Sequence, residues 1–521
     1  MSIAAPVLIA GGGMVGLSAA SFLAQHGVRS IVIERLKASS PLPRAAFFHM
    51  RTLEMFRSLG IEGQVREQSL EDFVPEGAIV ALETVAGRKL ADIIPSLNEG
   101  VETLSPCRRL FLNQPSLEPI LRERACKAGA TVLQGAEVTA IEQDSNGVRI
   151  TVRDVESDAT RQLHAQYLIA ADGGHSKVRE LLGIAYEGRG VFSSSLTIYF
   201  HADLSPWIGK NAWSIIYVNN RVLGGFFRMN RAGNAGFLAV NTLDDTSDVT
   251  EPRLVQLVRA GVGVPDLDVK IDGYTRWRAT ADVAEKFQQG RVFICGDAAH
   301  LMPPNGGFGG NTGIHDAQNL AWKMALVLEG QADPRLLETY ESERRPVAKF
   351  TVEQAFARYV ARTAPWLGTT QKTDPLVSDF NIELGYLYGV PGKVHDDPRM
   401  THGLPGSRAP HLWLTRGGER LSTIDLTGNF LLIAGAQGDK WKEAARSVAQ
   451  TTGLTLDRVR VGEDVEDPER RFHDAFGISP TGATLIRPDG FVAWRSVACP
   501  ADPVAALSAG INAALCRNAP G

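Results

Sequence analysis

Along the chain, apolar residues gather into short unbroken runs, and each run ends at a glycine cluster or a polar turn. Residues 6–10 (Pro-Val-Leu-Ile-Ala) are apolar throughout, the pattern of a strand buried on both faces in a parallel sheet. Three glycines follow. From Met14 onward Val15, Ala19, Phe22 and Leu23 recur at helical spacing until Gly27 supplies a stop signal. Ser30-Ile31-Val32-Ile33-Glu34 is the next apolar run and completes a βαβ unit. The sequence is β-rich from about 185 to 280, with alternation such as that at 195–200. A helix is predicted from about Ile314 to Leu328, after a second glycine cluster. Residues 362–400 are turn-rich (Pro365, Gly368, Pro391, Gly392) and read as a connecting segment. From about 401, strands at 430–434 and 483–486 alternate with a helix at 440–450, predicting a small α/β domain.

A chain of 521 residues is too long for one compact core, so two or three domains are expected. A formal net charge of -4 gives no basic footprint, which argues against a nucleic-acid partner. Five scattered cysteines without a C-x-x-C pair argue against a disulfide framework, a metal site or a dithiol centre, and fit a reducing cytoplasm. The apolar stretch at 4–24 superficially suggests a signal peptide, but no basic residue precedes it and Gly11-Gly12-Gly13 interrupts it. No other stretch is long enough to span a membrane, so no integral membrane association is expected.

The first glycine cluster, Gly11-Gly12-Gly13-Met14-Val15-Gly16, is a G-x-G-x-x-G. In that pattern the first glycine permits a tight turn, the second admits a pyrophosphate to the backbone, and the third allows close helix–strand contact. The helix that follows offers free N–H groups and a positive dipole end to phosphates. Glu34, with Arg35 beside it, ends the second strand, where a carboxylate can accept bonds from a ribose. These residues specify a dinucleotide without separating FAD from NAD.

Two further motifs carry more. Residues 167–179 run from a strand into a helix through Asp172-Gly173, and residues 290–323 contain Gly296-Asp297-Ala298-Ala299-His300 followed by Pro303-Pro304-Asn305-Gly306-Gly307-Phe308-Gly309-Gly310-Asn311-Thr312-Gly313. Taken in order with the first cluster, they resemble the aromatic-hydroxylase family of flavoprotein monooxygenases, the group typified by p-hydroxybenzoate hydroxylase, over about residues 1–350.

That resemblance implies an α/β fold in which a Rossmann-like FAD-binding domain (1–75, 105–184 and 285–361) is interleaved with a substrate-binding β-sheet domain (76–104 and 185–284). It implies non-covalent FAD, NADPH or NADH as a transient reductant, and O2 as co-substrate. It places Asp297 on the ribityl chain, Pro304 beside the reactive ring edge, and the Gly307–Gly313 loop on the flavin O2 and N1 side, with Gly309, Gly310, Asn311 and Thr312 inside it. A glycine-rich loop opening a helix suits the anion of a reduced flavin. Asp172, Arg44 (in Pro43-Arg44-Ala45), Arg109 and Gln114 complete the implied cofactor set, with Gly11, Gly13, Val15, Gly16, Glu34 and Arg35. Plainer alternatives stand beside these: a surface cation for Arg44, a salt bridge for Arg109, a helix-surface amide for Gln114, and helix capping for Asn311 or Thr312. His300 is read as structural, and no side-chain acid or base is assigned.

The segments at 404–411, 423–426 and 486–495 resemble the tail of polyketide-tailoring and phenol-type hydroxylases, which is thioredoxin-like; here, over 401–521, it lacks C-x-x-C and is read as a packing or dimer-supporting element. The implied activity is oxygen transfer from a flavin C4a-hydroperoxide to an electron-rich aromatic, phenolic or polycyclic. Tyr217, Phe226, Phe227 and Arg228 are candidate substrate residues, because aromatics plus one cation suit a phenolic ligand; sheet packing is the alternative. Baeyer–Villiger or epoxidising chemistry and a non-catalytic flavin-binding protein remain competing readings.

Overall fold

The computed structural model describes residues 5–38, 47–209, 211–242 and 249–517. Val7–Ala10 is buried at every position and lies centrally, parallel to Ser30–Glu34 on one side and Tyr167–Ala170 on the other. Thr131–Gln134 and Val292–Ile294 extend this parallel sheet, and Gln288–Gln289 adds an antiparallel edge. Helix Met14–Gln25 packs its small and apolar residues inward and ends where Gly27, at φ 75°, turns the chain. Four residues in the strand and twelve in the helix thus match the spacing of the apolar pattern.

The β-rich stretch forms an eight-stranded sheet. Its long members, Tyr186–His201 and Lys270–Ala284, pair antiparallel, and Ala235–Thr242, Gly224–Met229, Trp213–Asn219, Ala78–Leu82 and Lys89–Ile94 follow in spatial order. Residues 76–104 therefore enter the sheet from far away in the chain, next to Trp213–Asn219. One face packs on helix Glu251–Val262 through a core that includes Phe200, Phe227 and Val258. Residues of the other face, among them Ile79, Ile215 and Phe237, share a cavity with the turns that follow the parallel strands.

Helix Phe308–Leu328 starts six residues before its predicted position. Gly306 and Gly307, both at positive φ, reverse the chain so tightly that the helix begins immediately after them. Asn311 and Thr312 therefore lie inside the helix and do not cap it: Asn311 ties the strand at 47–48 to the helix, and the Thr312 hydroxyl donates to the Phe308 carbonyl (2.9 Å).

The segment at 362–400 is more than a connector. Its helix Asp379–Glu383 docks on the body through Glu383, which is paired in the buried interior with Arg109 (2.9 Å). The tail is a four-stranded mixed sheet in which Phe430–Ala434 pairs parallel to Leu456–Arg460 and antiparallel to Ala483–Ile486, with helices Asp439–Thr452 and Pro503–Ala514 against it, a thioredoxin-like arrangement. Buried ion pairs dock it: Arg408 to Glu54, and Arg487 to Glu343 at 2.7 Å. Breaking one partner of such a pair leaves an uncompensated charge and is strongly destabilising.

Candidate active site

A cavity of about 390 Å³ opens between the two sheets, and it is lined at one end by Gly13, Val15, Gln114, Gly173 and Asp297 and at the other by side chains of the substrate-type sheet. The glycines at its first end divide by physical cause. A Cβ on Gly11 would lie 2.2 Å from the Ala171 carbonyl oxygen, and one on Gly16 would lie 1.9 Å from that of Gly11, so the chain's own backbone demands both glycines. At Gly13 the nearest atom would be a Glu118 oxygen at 3.6 Å. The protein does not fill the space over Gly13, which is where a pyrophosphate needs the backbone bare. Gly13 also precedes helix Met14–Gln25 with no side-chain cap among the described residues.

Glu34 accepts the amide hydrogens of Gly12 (2.6 Å) and Leu36 (2.7 Å). Its oxygens keep further acceptor capacity for a ribose hydroxyl. Arg35 is exposed beside it. The Asp172 carboxylate is committed within the protein, to the Ser176 hydroxyl (2.6 Å) and the Val178 amide (3.1 Å), and burial pushes its pKa up; Ala171 and Gly173 face the cavity instead. Gln114 begins helix Gln114–Lys127 on one wall and donates to Glu118 (2.6 Å); Asp297 lies across from it in the turn Gly296–Ala298. Gly313 sits within helix Phe308–Leu328, where a Cβ would come 2.7 Å from Val15, so this glycine lets the two helices meet.

In the middle of the cavity Pro303, Pro304, Gly306, Gly307, Gly309 and Gly310 line the wall. No side chain caps helix Phe308–Leu328 among the described residues, and a Cβ on Gly309 would meet nothing closer than 3.7 Å. Bare amides at a positive helix end, beside empty space, suit an anionic ring edge. These residues fit a flavin dinucleotide along their whole length.

Three of the four sequence-predicted substrate residues line the far end: Tyr217, Phe226 and Arg228. Phe227 does not. Strand alternation turns it to the opposite face, fully buried against Gly261 and Leu238. Arg109 also stands outside the cavity, its guanidinium held by Glu383 and the Leu97 carbonyl (2.7 Å), which is the salt-bridge alternative. Arg44 lies outside the described residues. Asn311 is fully engaged: it accepts from the His49 amide and the Thr52 hydroxyl, and donates to the carbonyls of Phe47 and Gly307. His300 is buried and bonded to Asp316 (2.8 Å), whose other oxygen holds Arg344 (2.7 Å).

Sequence reasoning did not single out Asn305, Phe237, Arg362 or Asp379, all of which line the cavity. Asn305 stood inside a motif already in view, next to Pro304, but nothing in its spacing marked its side chain. Its amide nitrogen donates to the hydroxyls of Tyr217 (3.3 Å) and Thr363 (2.8 Å). Burial pushes the Tyr217 phenol up, with Arg362 and Asn305 opposing. Arg228 is packed between the rings of Phe73 and Phe237, 4.7 and 5.2 Å from their centroids.

Known proteins share this architecture. Residues 4–355 match the family described as FAD binding domain, and residues 402–516 match aromatic-ring hydroxylase, C-terminal. A 4-methyl-5-nitrocatechol 5-monooxygenase from Burkholderia sp is 46% identical, covering 99% of this chain and 98% of its own. An aklavinone 12-hydroxylase from Streptomyces purpurascens is 36% identical over 98% and 99% of the two chains. The crystal structure of a ternary complex of aklavinone-11 hydroxylase with FAD and aklavinone superposes with a TM-score of 0.94 at 34% identity, covering 99% of this chain and 100% of that one. Backbone fit to a flavin, the aromatic cavity and these matches together make one conclusion: the chain belongs to the FAD-dependent aromatic-ring hydroxylases.

Proposed function

We propose that the protein hydroxylates a substituted single-ring phenol or catechol, using FAD, NAD(P)H and O2. The observation that carries this reading is the shared cavity: the backbone that suits a flavin and the side chains that suit an aromatic ring enclose one space. Tyr217, Phe226 and Phe237 offer flat apolar faces to a ring at the end of this space away from Gly13 and Gln114. The 46% identical relative is named for a nitrocatechol, which agrees.

Bound FAD would supply the redox chemistry by which NAD(P)H and O2 place one oxygen atom on the ring and release the other as water. The chain's own residues do the rest. The amides of Gly309 and Gly310 would meet the anionic edge of the bound cofactor, and Asp297 and Gln114, which line the same cavity, would hold its ribityl chain. Tyr217, Phe226 and Phe237 stack the substrate and keep water away from the reacting edge, because a wet site would release hydrogen peroxide unproductively. Asp379 and Arg362 close the cavity from the segment after 361. We place the protein in the cytoplasm, where NAD(P)H is supplied and its five free thiols stay reduced. The tail supports the flavin-binding part, with dimer formation as a second role.

The test is a panel of phenols, catechols and polycyclic quinones added to the yellow holoenzyme with NAD(P)H. Small phenols should accelerate NAD(P)H oxidation and O2 uptake and yield a ring-hydroxylated product. Acceleration by polycyclic compounds alone, a lactone product, or peroxide as the sole product would contradict the proposal.

A further inference from the structure

Behind the turn at Gly306 and Gly307, a line of buried side chains is hydrogen-bonded in one direction only. Asn311 fixes its sense. The backbone amide of His49 can only donate, so the atom it meets at 3.0 Å is the Asn311 carbonyl oxygen, and the Asn311 amide nitrogen donates to the carbonyls of Phe47 and Gly307, at 2.8 and 2.6 Å. Thr52 meets the same Asn311 oxygen at 2.6 Å, which commits its one hydroxyl proton there. The Thr52 oxygen is left to accept from His315 Nε2 at 3.0 Å, so that nitrogen carries the imidazole proton. His315 Nδ1 then accepts from the Tyr386 hydroxyl at 3.4 Å, with the two rings stacked. Burial, with Arg344 and Arg51 nearby, holds the His315 pKa well below its ordinary value, and the ring is neutral. One peptide earlier, His49 Nε2 donates to the Gly306 carbonyl at 2.9 Å.

The turn needs such pins. Gly306 and Gly307 stand at φ 94° and 67° and both line the cavity, and a glycine peptide turns over at little steric cost. A carbonyl swung into that space would set a negative dipole end beside the ring edge that the amides of Gly309 and Gly310 are placed to meet. An oxidised flavin ring, which is uncharged, would feel this little; a reduced one carries a negative charge and would be repelled. Bonds that all run one way also polarise and strengthen one another. Thr52, His315 and Tyr386 are buried and stand outside the cavity lining, so they bear on the cofactor only through Asn311.

We propose that His315, with its proton on Nε2, is a positioning residue for flavin reduction: acting through Thr52 and Asn311, it keeps the Gly307 carbonyl out of the cavity and leaves the amides of Gly309 and Gly310 unopposed. The inference rests on the seating of FAD against those two glycines and adds a redox consequence to it. Breaking the chain lowers affinity for reduced flavin more than for oxidised flavin, which makes the midpoint potential more negative.

The experiment measures the two-electron midpoint potential and the FAD dissociation constant of the holoenzyme in wild type, His315→Leu, Thr52→Val and His315→Gln, with urea midpoints alongside. In His315→Leu and in Thr52→Val the affinity for reduced flavin should fall about tenfold more than that for oxidised flavin, a shift of about 30 mV to more negative potential. Combining the two substitutions should add nothing further, because both break one chain. His315→Gln should keep the wild-type potential, since its amide supplies one donor and one acceptor as the imidazole does. A histidine with a merely structural role would lower the urea midpoint and leave the potential unmoved. That result would overturn the inference, as would 15N spectra of histidine-labelled wild type that place the proton on Nδ1, the His315 signals being those absent from His315→Gln. Should His315→Leu lose its flavin, Thr52→Val and the nitrogen shifts decide. Unmoved potentials beside a Gly309→Leu variant that has lost FAD defeat the role of the chain alone; a Gly309→Leu variant that loads fully contradicts the flavin placement beneath it.

Discussion

The two ends of the cavity are built from different materials. At the cofactor end the wall is backbone: Gly13, Gly309 and Gly310 contribute amides and empty space, and Asp297 and Gln114 are the polar side chains beside them. At the aromatic end the wall is side chain, with Phe226, Phe237, Tyr217 and Arg228 drawn from three strands, and Phe111, Ile79 and Asp379 arriving from remote parts of the chain. A ligand recognised by main chain forces glycines into fixed positions, because any Cβ intrudes. A ligand recognised by side chains asks only that some face of some strand be aromatic, and many sequences satisfy that.

Cutting the buried tie that docks the 362–400 segment beside both ends should have the largest effect. Glu383→Gln removes the partner of the buried Arg109 and should lower the unfolding free energy by about 3 kcal/mol, read from urea denaturation of the holoenzyme. An unchanged midpoint would show that the segment at 362–400 is held by other contacts. Next comes the backbone end. Gly309→Leu should fold, since space is available there, yet bind FAD about 100-fold more weakly in equilibrium dialysis; full loading would refute the placement of the flavin ring. The side-chain end should respond separately. Phe226→Ala should raise KM for a phenol about tenfold and increase peroxide release while FAD affinity stays constant. If FAD affinity falls in step, the two ends are not independent. Tyr217→Phe should change least, a few-fold in kcat/KM, because Asn305 keeps its second partner Thr363.

That contrast also sets what could be read from the sequence. The βαβ unit, the tail strands at 430–434 and 483–486, and the glycines of the cofactor end were legible, because buried parallel strands and bare-backbone turns each impose a residue pattern. The start of helix Phe308–Leu328 was misplaced because the positive φ of Gly306 and Gly307 is a conformational fact that composition does not display. Phe227 was chosen alongside its neighbours, although period two guarantees that adjacent strand residues face opposite ways; only the sheet's position says which face is which. Arg109 illustrates another limit: its partner Glu383 is 274 residues away, and no local signal joins them. The bond chain from Tyr386 through His315 and Thr52 to Asn311 is likewise a property of assembled neighbours.

The most direct single measurement is a crystal structure of the holoenzyme with a bound phenol. The isoalloxazine ring is expected between Pro304 and the amides of Gly309 and Gly310, with the phenol stacked beside Phe226 in the same cavity. A flavin seated elsewhere, or an aromatic ligand bound in a separate pocket with the Phe226 face empty, would contradict it.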